Sequence, residues 1–281
     1  MSARARSARR RDSWSWFGYT AALVLVVTWI LPYVWMILAA FKSKRDVTAS
    51  PPLLFFTPTL DNFRNLFGQY DLLPAIFNSF VIVALATSVA MSAGTLAAYG
   101  LARLTFRGKN AIALEILSIR MLPPIATAVP LFLLAKTLGL LDTYWLISTV
   151  DAVGALPLVV WVMRVFFAEV PKSIEEAAFV DGCGRLGAMW RVVMPLVMPG
   201  VFATSVLTAV FVWNEFLFAV LLTGIDTAPV PIVIADTIGR LTIDWGAAAA
   251  QGALLSLPAV FPLVFLQRYL VRGLSFGSVR A

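Results

Sequence analysis

Long apolar runs recur along the 281-residue chain, and this repetition constrains its fold more than any other feature. The runs lie at about 16–41, 78–104, 111–138, 144–167, 200–222 and 251–271. An apolar helix of about 20 residues spans the bilayer core. Because 60% of the residues are hydrophobic and only 13% are charged, a single water-soluble core could not bury so much apolar surface. The sequence therefore predicts an all-α membrane protein with six transmembrane helices.

The distribution of basic residues predicts the orientation of this membrane domain. The chain divides into a basic N-terminal segment at 1–15, a single transmembrane domain at 16–271 and a tail at 272–281. With the N-terminus inside, most of the 22 Lys and Arg residues fall on the cytoplasmic side, as membrane proteins prefer. The basic cluster at 42–45 runs against this bias at the first outer boundary. We expect both termini and the segment 168–199 to be cytoplasmic.

The residue types present exclude several kinds of chemistry. The chain has no histidine and one cysteine, Cys183, so a zinc site, a His-based catalytic triad and an internal disulfide are not expected. The only Gly-Lys pair, at 108–109, lacks the remaining residues of a phosphate-binding loop. We therefore predict no enzymatic activity, no metal and no cofactor in this chain. The net charge of +7 is explained by cytoplasmic loops, and no basic–aromatic pattern indicates nucleic-acid binding.

The polar segment 168–199 has a pattern that predicts a short helix, a turn and a second helix. Ser173 is the expected N-cap, with Glu176 three residues later as in a capping box. Gly182 should break this helix, since glycine is unfavourable inside helices and suits turns. A second amphipathic piece follows at 185–193 and leads into two prolines.

This segment resembles the EAA loop in the permease subunits of binding-protein-dependent ABC importers, which have the MetI-like fold. That loop has Glu-Ala-Ala, three residues, Gly, nine residues, an aliphatic residue, one residue, Leu and Pro. The residues that fall on the pattern are Glu176, Ala177, Ala178, Gly182, Val192 and Pro195. Met194 stands where Leu is usual, and Cys183 stands where Ala is frequent.

Shorter motifs elsewhere resemble the carbohydrate branch of these permeases, and in particular the second permease of maltose, trehalose and glycerol-phosphate type systems. They are Asn78-Ser79, Ala98-Tyr99 to Arg103, Arg120-Met121-Leu122-Pro123-Pro124 and Trp213-Asn214-Glu215-Phe216. The resemblance covers most of the chain. It implies a type I ABC importer permease with a cytoplasmic coupling helix between spans four and five.

The resemblance also implies a mechanism and partners. The subunit would move a sugar or sugar-like solute across the inner membrane of a prokaryote by alternating access. Its partners would be a second permease, two ATPase subunits that bind ATP and Mg²⁺, an extracytoplasmic solute-binding protein and membrane lipid. The residues that the resemblance assigns to ATPase coupling are Glu175, Glu176, Ala177, Ala178, Asp181, Gly182 and Pro195. The alternative is a self-contained secondary transporter or channel, although no internal repeat of the kind many such transporters have is visible.

Polar groups and prolines inside the spans are candidates for a substrate path or gate. Asn214 and Glu215 lie near the middle of span five beside aromatic residues that could stack on a sugar, and Arg120 lies in span three. Pro123 and the proline after it should kink or break span three. Each has a structural alternative, because polar side chains also join transmembrane helices and proline kinks are often only structural. For Asp151 a structural role is the stronger expectation.

Overall fold

The computed structural model describes residues 3–69, 72–238, 244–258 and 260. Within these ranges the chain is built from helices, turns and loops, without a strand. In the described part of the chain, four helices are long and apolar enough to cross a membrane, and a bent helix pair supplies a fifth crossing if it counts as one span. Most of the predicted sixth span, 251–271, and the tail at 272–281 lie outside the described residues. The all-α membrane class is therefore confirmed.

The helices are numbered in chain order. They are α1 (Ala3–Ala40), α2 (Lys44–Val47), α3 (Asp61–Gln69), α4 (Leu72–Arg103), α5 (Lys109–Ser118), α6 (Pro124–Thr137), α7 (Tyr144–Glu169), α8 (Lys172–Val180), α9 (Arg185–Ala188), α10 (Met194–Trp213), α11 (Leu217–Leu222), α12 (Val230–Ile238) and α13 (245–258). The described residues form two compact units, the first from 3–69, 238 and 244–254 and the second from 72–237, 255–258 and 260.

The first unit contains α1, whose apolar side chains are nearly all exposed between residues 18 and 38. Such a surface is what lipid accommodates and water does not. The end of α1 is fixed by Asn62 of α3, whose side-chain amide donates to the backbone oxygens of Ala40 and Lys42, at 2.8 Å each. These bonds satisfy carbonyl groups that a helix end leaves without partners.

The second unit has an apolar core formed chiefly by the facing sides of α4, α7 and α10. Small buried residues recur every four positions on α4, at Ala86, Ala90, Gly94 and Ala98. Residues four apart share one helix face, and small side chains let transmembrane helices approach closely. At Gly94 a Cβ atom would lie 2.6 Å from Cγ1 of Val159 on α7. Helix α4 therefore packs tightly against α7 there.

Span two starts earlier than predicted, at Leu72 instead of Asn78. The added turn contains two buried residues, Leu72 and Ala75. Asn78 consequently lies inside the helix, where its side-chain amide donates to the backbone oxygens of Asp226 and Ala228, at 3.0 Å each.

Span three is a bent pair of helices. The pair consists of α5 with the 3₁₀ turn Ile119–Met121, followed by α6, and its two parts meet at 88°. The bend falls at the two consecutive prolines, where Pro123 has extended geometry and Pro124 opens α6. Proline lacks an N–H group and forces the preceding residue out of helical geometry. The local sequence therefore produces the break that it predicted.

The helix that contains span five starts before the predicted boundary of the span at residue 200. A helix begins at Arg185, passes through the π-helical turn Met189–Val193 and continues into α10. Pro195 and Pro199 were expected to precede the span, but both lie within α10. A π-helical turn, in which backbone bonds reach five residues back, is a common way to accommodate irregularity within a helix.

Span five also ends earlier than predicted, at Trp213 instead of residue 222. The chain leaves helical geometry at Asn214 and resumes it in α11. The carboxylate of Glu215 accepts hydrogen bonds from the backbone N–H groups of Phe218 and Ala219, at 2.9 Å each. A side chain that satisfies the first N–H groups of a helix stabilises a new start there. Glu215 therefore helps to begin α11.

Candidate functional site

The turn after α8 is built on Gly182, as the sequence predicted. Gly182 has a left-handed φ of +84°, its N–H donates to the oxygen of Phe179 at 3.1 Å, and the N–H of Cys183 donates to that of Ala178 at 2.9 Å. These two bonds and the left-handed residue make a Schellman motif. A Cβ atom at position 182 would meet open space, so the requirement for glycine is conformational and not a matter of crowding.

The start of α8 differs from the predicted capping box. The helix begins at Lys172, and Pro171 occupies the N-cap position without a side-chain hydrogen bond. Ser173 therefore lies inside the first turn, and its predicted capping role with Glu176 is wrong. Proline has no side-chain acceptor, so the first N–H groups of α8 receive no side-chain cap from it.

The residues of the Glu-Glu-Ala-Ala stretch divide between two faces of α8. Glu175 and Ala178 are buried, whereas Glu176 and Ala177 are exposed. Residues three apart share a helix face, so the first pair faces the protein and the second pair faces away. Val180 is 87% exposed. We call Glu176, Ala177 and Val180 the outward face of α8.

Exposed apolar side chains also occur in the helix that follows the turn. Leu186 of α9 and Trp190 of the π-helical turn are more than half exposed, and Asp181 and Pro195 are exposed as well. Exposed apolar residues rimmed by polar ones are typical of protein–protein contacts. The outward face of α8 together with Leu186 and Trp190 is therefore a candidate docking surface.

Glu175 does not belong to that surface, because Arg103 holds it inside the protein. Nε of Arg103, the last residue of α4, donates to Oε1 of Glu175 at 2.6 Å, and both side chains are 7% exposed. Nη2 of Arg103 also donates to the backbone oxygen of Val170 at 2.7 Å. Sequence reasoning missed this contact, since its partners are 72 residues apart.

Arg120 lies beside the bend in span three. Its guanidinium carbon is 4.8 Å from the centre of the Phe211 ring on α10, a cation–π arrangement. Among the described residues, no carboxylate lies within ion-pair distance of Arg120, and its side chain is exposed. Pro123 fixes the bend next to it, so these two predicted residues are brought together.

Asn214 and Glu215 have different surroundings, although they are adjacent. Asn214 is exposed, and its side-chain amide donates to the oxygen of Val210 in its own helix at 2.7 Å. Glu215, Trp213 and Asp151 line a small cavity whose volume for a water-sized sphere is about 10 Å³. Asp151 is only 3% exposed, and among described groups neither its Oδ1 nor Nε1 of Trp213 has a hydrogen-bond partner. An acceptor and a donor without partners on one cavity favour a bound water or hydroxyl group.

A second polar cluster, which the sequence did not predict, surrounds Asp142 in the loop before α7. Oδ1 of Asp142 accepts from the N–H of Gly224 at 2.8 Å, the N–H of Thr227 at 3.0 Å and the hydroxyl of Thr227 at 2.6 Å. Oδ2 accepts from the N–H of Asp226 at 3.2 Å. Burial alone would raise the pKa of Asp142, but the hydrogen bonds from Thr227, Gly224 and Asp226 hold this pKa below its ordinary value. Its partners are 82 to 85 residues away, so no local pattern marks them.

Comparison with known proteins places these features in a family. Residues 90–276, which include α8 and its turn, match the family described as the inner membrane component of binding-protein-dependent transport systems. The chain belongs to this family. The permease is 37% identical to the probable ABC transporter permease protein y4oR of Sinorhizobium fredii, with 92% of each chain covered. It is 31% identical to the trehalose/maltose transport system permease protein MalG of Thermococcus litoralis, over 92% of this chain and 94% of that one.

Solved structures confirm the fold of the permease. A chain of a bacterial ABC transporter involved in the import of the acidic polysaccharide alginate matches it with a TM-score of 0.76 at 22% identity, over 92% of this chain and 97% of that one. A second structure, of the alginate transporter in complex with an alginate pentasaccharide-bound periplasmic protein, gives a TM-score of 0.67 at 18% identity. The described helices therefore share the fold of these two transporter chains.

Proposed function

We propose that this permease moves a sugar or sugar-like solute into the cell by alternating access, driven by two separate ATPase subunits that bind ATP and Mg²⁺. A second permease subunit completes the path, and an extracytoplasmic binding protein delivers the solute. Membership of the family supports the transport role. The solute class rests on relatives named for trehalose and maltose transport.

The observation that carries the coupling role is the outward face of α8. A short helix between two spans presents Glu176 and Ala177 to solvent, next to exposed Val180, Leu186 and Trp190. A carboxylate beside a small residue suits a groove that contributes a basic side chain and needs close approach. In this proposal the ATPase docks on this surface, and α8 lies on the cytoplasmic side together with both termini.

Gly182 and Gly184 supply a matched test of this docking role. Both positions have open space for a side chain, but only Gly182 has a left-handed φ; Gly184 is extended with φ −71°, which valine tolerates. We expect Gly182→Val to leave the permease in the membrane but to abolish solute uptake and solute-stimulated ATP hydrolysis, whereas Gly184→Val keeps both. Normal stimulated hydrolysis in an assembled Gly182→Val complex would overturn the coupling role.

We further propose that the transport path includes two exposed polar side chains, Arg120 at the bend in span three and Asn214 at the break in span five. In this account Pro123 sets the bend, and Glu215 holds the break in span five. An exposed guanidinium without a carboxylate partner in a transmembrane segment is costly unless it meets water or a polar ligand. The aromatic face of Phe211 beside it can stack on a sugar ring.

Replacing Arg120 tests the path without disturbing α8. Arg120→Gln should raise the KM for uptake and leave the ATPase subunits bound. Arg107→Gln is the control, because it makes the same change of charge at an exposed position in the turn between α4 and α5. The path assignment fails if the two variants take up solute with the same KM.

A further inference from the structure

The ion pair between Arg103 and Glu175 is unusual in its burial, since both side chains are 7% exposed. Removing two charges from water costs about as much as their attraction returns, so a buried pair contributes little net stability compared with apolar residues of the same size. Removing one partner is far more damaging, because a buried charge is then left without its counterion. Such a pair therefore determines which segments lie next to each other more than it adds to the free energy of unfolding.

The arrangement that it specifies joins three helices at one end of the second unit. Arg103 is the last residue of α4, Val170 follows the end of α7, and Glu175 is in the first turn of α8. The two bonds of the guanidinium thus hold both the entry into α8 and a side chain of its first turn. The planar guanidinium can make both bonds at fixed angles, which a lysine ammonium cannot do.

One turn earlier on α4, Tyr99 contacts residues that precede and follow α8. Its ring packs edge-on against Phe167 of α7, with centres 5.5 Å apart. Its hydroxyl lies 3.5 Å from the backbone oxygen of Arg185, at the start of the helix after the turn. The last turn of α4 therefore contacts the chain both before and after α8.

We propose that Arg103 and Glu175 are positioning residues that tie α8 to the end of α4, so that movement of the docked helix is transmitted to span two. This inference rests on the proposed docking role of α8 and adds the route by which its motion enters the membrane. Glu175 and Glu176 then have separate tasks. Glu176 faces the ATPase, and Glu175 faces the permease and holds the helix to the span.

The test compares neutral variants in the whole importer, reconstituted with its ATPase subunits, second permease and binding protein. Glu175→Gln alone leaves the Arg103 charge buried without its counterion, so the amount of assembled complex should fall. The double variant Arg103→Gln with Glu175→Gln has no buried charge, and assembly should return to the level of the unmodified complex. Solute transported per ATP hydrolysed should remain reduced roughly fivefold to tenfold in the double variant, because the charge-assisted bonds that held α8 are gone.

The outcomes distinguish an ion pair that transmits movement of α8 to α4 from one that only maintains packing. If the double variant assembles and transports the normal amount of solute per ATP, the pair only maintains packing and the proposal is wrong. Failure of the double variant to assemble also contradicts it, since a neutral pair should pack without a charge penalty. Glu176→Gln makes the same chemical change at the next residue, and it should lower the amount of ATPase that stays bound to the permease. Full retention in Glu176→Gln, with stimulated hydrolysis intact in Gly182→Val, would instead refute the docking role on which the inference rests.

Discussion

Close packing of α4 on α7 makes Gly94 a position where one methyl group should be destabilising. In Gly94→Ala the new Cβ would lie 2.6 Å from Cγ1 and 2.9 Å from Cβ of Val159. Ordinary carbon–carbon contacts are about 3.5–4.0 Å, so the helices must separate by about 1 Å. Val159 is fully buried, and a β-branched side chain in a helix has one strongly preferred rotamer. Rotation about the Cα–Cβ bond moves only the γ carbons, so it cannot relieve the contact with Cβ of Val159.

The magnitude follows from comparison with Gly100 on the same helix. A Cβ atom at Gly100 would have its nearest neighbour, Cδ1 of Leu104, at 3.9 Å, which is an ordinary contact. Both substitutions add alanine's helix propensity, about 1 kcal/mol, so this contribution cancels between them. Overpacking a filled core costs about 1–3 kcal/mol. We expect Gly94→Ala to be less stable than Gly100→Ala by that amount.

Thermal unfolding of the two variants in the same detergent measures this difference directly. The midpoint of Gly94→Ala should lie several degrees below that of Gly100→Ala, and adding Val159→Ala to Gly94→Ala should recover part of the loss by removing Cγ1. Equal midpoints for the two alanine variants would show that the α4–α7 contact is not close at Gly94. The packing argument would then be refuted.

Other contacts give three shorter predictions. Asp142→Ala should lower the free energy of unfolding by about 2–4 kcal/mol, because it removes the acceptor of four hydrogen bonds. Asp142→Asn should lower it by under about 1 kcal/mol, because asparagine can keep Oδ1 and tolerates the residue's φ of 58°. Chemical denaturation measures both changes. The folded state lowers the pKa of Asp142, so the contribution of this carboxylate to the free energy of unfolding should be complete above the unfolded pKa of about 3.9. That contribution should disappear as pH falls through the folded pKa. Unfolding measured as a function of pH should show this loss in the unmodified protein and not in Asp142→Asn. Glu215→Ala should lower the unfolding midpoint through about 0.5–2 kcal/mol of lost helix capping, whereas Glu215→Gln, which retains one acceptor oxygen, should lower it less.

The features that sequence reasoning predicted correctly depend on neighbouring residues. The apolar spans follow from hydropathy, which needs no knowledge of contacts. The bend in span three follows from Pro123 and the proline after it, because proline acts on its own backbone and the residue before it. The turn at Gly182 follows from a backbone conformation that glycine adopts readily. Each of these features could therefore be predicted from a few adjacent residues.

The features that were missed depend on packing between distant segments. The second amphipathic piece at 185–193 was predicted to be separate from span five, but it continues into α10 through the π-helical turn Met189–Val193, where Met189 and Val193 are buried. Glu215 was expected inside a continuous helix, but its carboxylate satisfies the first N–H groups of α11. Asp142 carries no local signal, because its partners come from the loop that follows α11.

The two adjacent glutamates of α8 show most directly what a one-dimensional pattern leaves out. An α-helix makes one turn every 3.6 residues, so adjacent side chains point about 100° apart, and one of two neighbours can be buried while the other is exposed. Glu175 points toward Arg103 only because α4 ends beside α8, and Glu176 is thereby directed outward. The same rotation buries Ala178 and exposes Ala177. The motif therefore has a buried face against the end of α4 and an exposed face, and only the exposed face is available for the docking role proposed above.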